Sequence, residues 1–240
     1  MRKEEVATAS KAIQKVLQEG LDVSAYFPLK LIGSEWSEGD FGSVEWYLQK
    51  AVKRKSSYGM QYNVTSIFRL CEQEIYQKQQ PHLEFGLLSK DLYAEGTNFV
   101  YGETHPLNTF YKQGGIPGGC VLSVFRQRIW FEKESLLAVE KTCMHELAHV
   151  FWIPQRENLV EDSLGIHCVR GDCIMGQSNV KRLILWEDGR RERRFIDSLE
   201  IARKAKEREK RTGSCFCQDC LNELIQMKRN FVRFLFNKRI

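Results

Sequence analysis

The pattern of apolar and polar residues divides the chain into helical and extended segments. Apolar residues recur at helical spacing in four ranges: 3–19, 59–80, 132–151 and 220–236. Runs rich in β-forming residues lie between the second and third of these helices, at 82–93, 97–103 and 120–131. Helices and strands in this order predict a fold of the α/β (α+β) class.

Proline, glycine and charged residues indicate a loop, the end of a helix and a charged helix elsewhere in the chain. Residues 21–57 combine Pro28 with several glycines and scattered aromatics, which predicts a loop with short strands. Pro154 disfavours helical geometry at the residue before it, so the helix over 132–151 should end near Trp152. Residues 188–212 are dense in charge of both signs and predict one exposed helix.

The composition is that of an ordinary globular protein, with 42% hydrophobic and 28% charged residues. No stretch approaches the roughly 18 consecutive apolar residues that cross a bilayer. The first twenty residues mix charge with single apolar positions and lack a signal-peptide core. We therefore expect a cytoplasmic protein that does not enter a membrane, and we expect a monomer.

The positive charge is concentrated in one segment. The chain carries a net charge of +5, and residues 190–212 hold ten Lys/Arg against five Asp/Glu, which accounts for all of it. Such a segment can contact nucleic acid, acidic lipid headgroups or an acidic protein. No aromatic stacking platform accompanies it, so the sequence favours a solvated surface helix and we do not expect nucleic-acid binding.

The sequence HELAH at 145–149 is the HExxH zinc signature. On a helix, His145 and His149 lie one turn apart on the same face and can bind one metal ion. Glu146 then lies beside the metal, where it can take a proton from the zinc-activated water that attacks a carbonyl. The alternative is two surface histidines and a solvated glutamate, but the apolar neighbours Met144 and Leu147 predict a buried helix.

The third ligand is displaced along the chain. In the extended motif HExxHxxGxxH, a glycine turns the chain so that a third histidine returns six residues after the second. Here Trp152 occupies the glycine position and the next histidine is His167, twelve residues later than the motif requires. We expect the chain to avoid a sharp turn at Trp152, leave the helix at Pro154, and turn again at Gly165. His167 is the predicted ligand, and three carboxylates are its rivals: Glu157, Glu161 and Asp162.

Five of the eight cysteines follow the HELAH helix. Cys168 and Cys173 form one pair and Cys217 and Cys220 form a second, a pattern that predicts a closed, structural four-cysteine metal site. Cys215 is then either a free thiol or a competitor for Cys217. The remaining cysteines are most simply small buried residues: Cys71, Cys120 and Cys143. His82 and His105 lie far from the motif and are interpreted as surface or loop histidines.

These motifs together resemble the archaemetzincin family of zinc metallopeptidases. The features shared with that family are His167-Cys168, Cys173-Ile174-Met175 and the later CxxC at 217–220. Four upstream segments are also similar: GMQY at 59–62, DLY at 91–93, NFVYG at 98–102 and VLSVFR at 121–126. The resemblance covers roughly residues 55–236. The chain departs from the family in the insertion before His167 and in the 41 residues between Met175 and Cys217, about twice the usual number.

The resemblance implies a metzincin-like mixed sheet with an active-site helix and a zinc-stabilised C-terminal part. It implies two zinc ions per chain, one catalytic and one structural. The catalytic zinc would be held by His145, His149 and His167, with Glu146 as general base. Met175 would form the methionine turn. The structural zinc would be held by Cys168, Cys173, Cys217 and Cys220.

The sequence therefore predicts a zinc metallopeptidase that acts on a peptide or protein substrate. We assign residues 1–55 to an N-terminal helix and irregular extension and 56–240 to a metzincin-like metallopeptidase domain, with an inserted loop at about 153–164 and an inserted basic helix at about 188–212. A second hypothesis is a catalytically disabled, zinc-stabilised binding module that contacts an acidic partner through residues 190–212. A third, less favoured, is a zinc protein that binds nucleic acid.

Overall fold

A computed structural model describes most of the chain. The residues it describes are 1–29, 43–73, 83–105, 118–154, 159–162, 165–178, 180–186 and 188–237. Within these ranges the backbone alone is described for 72–73, 159–165, 180–183, 194 and 234–237. His82 and Glu157 lie outside the described residues. Within them, no helix is both long enough and apolar enough to cross a membrane.

The described helices and strands alternate along the chain, with two short 3₁₀ turns at Ser24–Tyr26 and Glu132–Glu134. The helices are α1 (Lys3–Gln18), α2 (Val44–Lys50), α3 (Val64–Gln73), α4 (Phe125–Phe131), α5 (Ser135–Val150), α6 (Ser198–Thr212) and α7 (Gln218–Asn237). The strands are β1 (Lys53–Ser56), β2 (Gly59–Asn63), β3 (Glu84–Leu88), β4 (Asp91–Tyr93), β5 (Gly102–His105), β6 (Gly119–Ser123), β7 (Leu159–Asp162), β8 (Gly165–Cys168), β9 (Val180–Leu185) and β10 (Arg191–Ile196).

The strands form small sheets of mixed direction, which confirms the predicted α/β class. In the sheet β3-β6-β5, β6 is parallel to β3 and antiparallel to β5. In the sheet β1-β2-β4, β2 is antiparallel to β1 and parallel to β4. The remaining strands form the antiparallel hairpins β7-β8 and β9-β10.

Strand β6 separates two hydrophobic cores because its side chains alternate between the faces of the sheet. Cys120 and Leu122 face a core that contains α1, α5 and the segment around residues 168–175. Val121 faces the other core, against α3 and β4. Helix α5 is therefore buried along most of its length, and its histidine motif lies inside the protein.

The structure corrects four predicted elements. Residues 44–50, within the segment expected to be a loop with short strands, form helix α2. Residues 59–63 are not the start of a helix but strand β2, which pairs with β4. Residues 125–131 do not continue a β-rich run but form α4. The single basic helix predicted over 188–212 is wrong: residues 191–196 are strand β10, and α6 begins at Ser198 after Asp197 accepts a capping hydrogen bond from Glu200 N at 2.7 Å. Long-range strand pairing decides the local structure at β2 and β10, and the cap at Asp197 sets the start of α6.

Helix α1 is held in place at both ends. Near its start, the buried Glu5 carboxylate accepts hydrogen bonds from Arg128 of α4 and from the backbone N–H of Arg2. Burial raises the pKa of Glu5, but these hydrogen bonds outweigh it and hold the pKa below its ordinary value.

At the other end of α1, the fully buried Lys228 of α7 donates to four backbone carbonyls. The distances from its Nζ are 2.5 Å to Val16 O, 3.0 Å to Leu17 O, 2.8 Å to Glu19 O and 3.0 Å to Leu21 O. Burial lowers the pKa of Lys228 to about 8. The ammonium group thus adds a donor to carbonyls in the last turn of α1 and in the residues that follow it.

Candidate metal centres

Helix α5 ends with a left-handed residue. The helix stops at Val150, and Trp152 has a φ of 61°. Trp152 N donates to His149 O at 2.8 Å and Ile153 N donates to Ala148 O at 3.2 Å, which closes the turn. The expectation that the chain avoids a sharp turn here is wrong, because Trp152 adopts the conformation that glycine provides in the motif. Its side chain is 40% exposed and so is not forced into the core.

The β7-β8 hairpin returns the chain to the helix after the insertion. Val160 pairs with His167, and Cys168 N donates to Met175 O at 3.0 Å. His167 is only 7% exposed. The twelve additional residues therefore contain a strand of their own, and β8 delivers His167 to the buried face of α5.

The structure brings the three predicted histidines together. One ring nitrogen each of His145, His149 and His167 lies within 4.8 Å of the others, and the Nε2 atoms of His145 and His149 are 3.1 Å apart. A tetrahedral zinc with Zn–N bonds of about 2.0–2.1 Å holds its ligand nitrogens about 3.4 Å apart. The donor set and its spacing therefore fit a zinc ion.

The surroundings of His145 and His149 keep these two side chains neutral, as metal binding requires. Burial lowers the pKa of His145 well below its ordinary value and lowers that of His149 to about 4. His145 Nδ1 lies 3.0 Å from the carbonyl oxygen of Ile174. A hydrogen bond from Nδ1 to this carbonyl fixes the tautomer and leaves Nε2 as the metal-binding atom.

Glu146 is held by the edge strand of the neighbouring sheet. The hydroxyl group of Thr104 on β5 donates to Glu146 Oε2 at 2.6 Å. A Cβ atom at Gly102 would lie 2.9 Å from Glu146 Cγ, so this glycine makes room for the glutamate. Burial raises the pKa of Glu146, and the hydrogen bond from Thr104 opposes the shift. Neither β5 residue could be identified from the sequence, because both reach Glu146 only through strand pairing.

The four predicted cysteines form a second cluster. The sulfur atoms of Cys168, Cys173, Cys217 and Cys220 lie within 4.8 Å of one another, and all four residues are fully buried. The distance between Cys168 Sγ and Cys217 Sγ is 3.7 Å, and tetrahedral Zn–S bonds of about 2.3 Å place sulfurs about 3.8 Å apart. The cluster therefore fits a closed zinc site.

The other predicted site residues have separate positions. Cys215 is buried outside the cluster, and its carbonyl accepts a hydrogen bond from Ile174 N at 3.0 Å. Met175 is fully buried in the core that contains the four cysteines and the apolar residues of α5. His105 stacks on Phe68 with ring centroids 3.9 Å apart, instead of joining a cluster. Of the rival carboxylates, Glu161 and Asp162 lie on β7, where the backbone alone is described.

Helix α6 supports the cysteine cluster through an ion pair that the sequence did not reveal. Arg208 donates to Asp172, between the first two cysteines, at 3.1 Å and to the carbonyl of Phe216 at 2.9 Å. Both charged side chains are less than a tenth exposed. This contact joins the two cysteine pairs from outside the cluster.

Comparison with curated proteins finds a relative among the archaemetzincins, whereas no protein-family model matches the chain. An archaemetzincin from Archaeoglobus fulgidus is 31% identical over 119 residues, which is 50% of this chain and 56% of that protein. The chain thus spans little more than half the length of the curated relative that it matches.

Two solved structures are also similar. One is an archaemetzincin from Methanopyrus kandleri, 20% identical, covering 93% of this chain and 88% of its own, with a TM-score of 0.49. The other is the archaemetzincin from Archaeoglobus fulgidus complexed with malonate, 27% identical, covering 68% of this chain and 69% of its own, with a TM-score of 0.36. The sequence match agrees with the resemblance predicted from the motifs: over 119 residues, half of its length, the chain is similar to an archaemetzincin.

Proposed function

We propose that the chain is a zinc-dependent peptidase whose zinc is held by His145, His149 and His167. The observation that carries the proposal is the convergence of these three histidines from α5 and β8, despite the insertion between them. The three form a largely buried set of imidazole donors, of the kind that leaves one coordination position for a reacting group.

The chemistry divides between the metal and the protein. When bound, zinc supplies Lewis acidity, which lowers the pKa of a water molecule and polarises a carbonyl oxygen. Glu146 Oε2 accepts the hydrogen bond from the Thr104 hydroxyl group, so Oε1 is the atom that takes the proton from the attacking water. The raised pKa of Glu146 suits this role, because a carboxyl group poised nearer neutrality also returns the proton to the leaving amine.

Strand β5 offers a place for an extended substrate. Ser123 N donates to Tyr101 O, so Tyr101 is a residue whose backbone groups face β6. Along an antiparallel strand such residues alternate with residues whose N–H and C=O groups face the other way. Gly102 and Thr104 therefore direct their N–H and C=O groups away from β6. Within the described residues β5 is an edge strand. A peptide that adds to this edge lies beside Glu146, because Gly102 and Thr104 both adjoin that side chain.

The general-base role is tested with Glu146→Gln. We expect hydrolysis of a mixed peptide library to fall by about 10²–10⁴-fold while zinc content stays the same. Glu140→Gln, on the same helix but on the face that pairs with Lys206, is the matched control and should retain activity. Full activity of Glu146→Gln would refute the role and favour the disabled binding module.

The two-zinc proposal is tested by metal content after mild dialysis. We expect two zinc ions in the wild type, and one in each of His167→Ala and Cys173→Ser. Cys215→Ser is the control, because Cys215 lies outside the cluster, and it should retain two. If His167→Ala retains two ions, His167 is not a ligand, and the carboxylates of the insertion become the candidates to replace it.

A further inference from the structure

The basic segment of the chain divides into two parts that differ in how their charge is compensated. Residues 181–194 and residues 198–212 each combine several Lys/Arg with fewer Asp/Glu. On α6 most of the positive charges have acidic partners. The pairs are Arg203–Glu134, Lys204–Glu207 at 3.0 Å, Lys206–Glu140 at 2.7 Å and Arg208–Asp172 at 3.1 Å. The helix therefore offers little uncompensated charge to a partner.

The β9-β10 hairpin presents its charge to solvent. Along β10, Arg191, Arg193 and Phe195 are exposed, whereas Ile196 is fully buried against α6. Phe195 is 55% exposed, so an apolar ring lies on the same face as the two arginines. Neither Arg191 nor Arg193 forms an ion pair with any residue that the structure describes. We call this solvent face, made of Arg191, Arg193 and Phe195, the basic face.

The hairpin is joined to the segment that carries His167. Leu185 N donates to Val169 O at 3.1 Å, and Gly171 N donates to Leu185 O at 3.3 Å. A Cβ at Gly171 would lie 2.6 Å from the side chain of Ile184, so the hairpin packs directly on this loop. The basic face is therefore an extension of the structure that forms the histidine centre.

The strand pairing also limits the distance between the basic face and His167. Three residues from His167 to Arg170 span at most about 10 Å. Arg170 bridges Leu185, which pairs with Arg191, and each of these steps adds about 5 Å. Arg191 thus lies within roughly 20 Å of His167, a distance that about six residues of extended peptide cover.

We propose that the basic face docks an acidic segment of the substrate that lies no more than about six residues from the bond that is cleaved. Arginine pairs well with carboxylates, and the exposed ring of Phe195 adds apolar contact area. An acidic peptide is favoured over other polyanions because the face is continuous with a centre proposed to act on peptides. The choice of occupant therefore rests on the proposed function, whereas the charged surface itself does not.

The test measures binding separately from hydrolysis. Two fluorescent peptides of about twelve residues differ only in one four-residue run, acidic in the first and its amide counterpart in the second. Their affinities are measured by anisotropy on zinc-loaded Glu146→Gln protein, which does not consume them. The double variant Arg191→Glu/Arg193→Glu is compared with Lys3→Glu/Lys11→Glu, which changes the net charge equally at exposed positions of α1.

We expect Arg191→Glu/Arg193→Glu to lower the affinity for the acidic peptide by about tenfold or more and to leave the affinity for the amide peptide unchanged. The α1 control variant should bind both peptides as the parent protein does. Equal weakening by the α1 variant, or equal affinity for the two peptides, would overturn the proposal. So would tighter, arginine-dependent binding of a uridine oligonucleotide or of phosphatidylserine vesicles.

Hydrolysis by the protein with Glu146 intact separates the two proposals. If the acidic peptide binds through the arginines but no peptide is cleaved, the docking surface stands and the peptidase function fails. If both peptides are cleaved with the same kcat/KM, the peptidase function stands and the docking surface fails.

Discussion

The left-handed exit from α5 makes a quantitative prediction about Trp152. At a φ of 61° a residue with a Cβ atom is roughly 1–2 kcal/mol less stable than glycine. Trp152→Gly and Trp152→Ala both remove the indole, so the loss of its packing cancels between them. On folding, glycine loses more backbone conformational entropy than alanine, which costs about 0.5–1 kcal/mol. We therefore expect the glycine variant to be more stable than the alanine variant by roughly 0.5–1 kcal/mol.

Urea unfolding at saturating zinc measures this difference, provided that the variants share the same m-value. Glu207, exposed in the middle of α6, is the control site. There the order should reverse, with Glu207→Ala more stable than Glu207→Gly by about 1 kcal/mol. If alanine is at least as stable as glycine at position 152 too, that result refutes a left-handed exit of the chain from α5.

Three further predictions follow from single contacts. Lys228→Met removes the buried ammonium that donates to carbonyls at and beyond the end of α1, and should lower the unfolding free energy by about 3 kcal/mol; a thermal scan should show a drop in Tm of roughly 6–12 °C, and an unchanged Tm contradicts it. The lowered pKa of Glu5 stabilises the folded protein at pH values above the pKa of the unfolded chain, near 4.3, and this contribution is lost as pH falls through the folded pKa. The difference in unfolding free energy between the wild type and Glu5→Gln should therefore shrink between about pH 6 and 3; a constant difference would contradict this. Gly102→Ala places a Cβ 2.9 Å from Glu146 Cγ, so kcat should fall by about tenfold or more with zinc content unchanged; full activity would show that the glutamate tolerates displacement.

The sequence predicted best those parts of the site that depend on local spacing. His145 and His149 are one helical turn apart, and the two cysteine pairs are short motifs, so their side chains converge once the segments fold. Thr104 could not be predicted in this way, because it meets Glu146 through a strand 42 residues away. The same holds for Arg208 and Asp172, which lie 36 residues apart.

The fold was predicted in class but not in every element, for related reasons. The segment at 191–196 is rich in arginine and glutamate, which favour helix, yet it pairs with β9 and buries Ile196. Residues 59–63 likewise pair with β4 before α3 begins. Intrinsic preferences of a few tenths of a kcal/mol per residue cannot outweigh a ladder of backbone hydrogen bonds and the burial that accompanies it. Local periodicity therefore fails where a distant strand supplies the partner.

The position of the anchoring contacts explains why the insertion before His167 is compatible with the histidine cluster. His167 and Cys168 are adjacent on β8, so their side chains point to opposite faces and reach the two different clusters. Cys168 is tied to Met175, and the carbonyl of Ile174 holds His145. Both ends of the histidine cluster thus depend on the segment that the cysteines enclose, downstream of the insertion. Lengthening the upstream loop about threefold then costs only about 1 kcal/mol of closure entropy, and the inserted strand β7 itself pairs with β8 at His167.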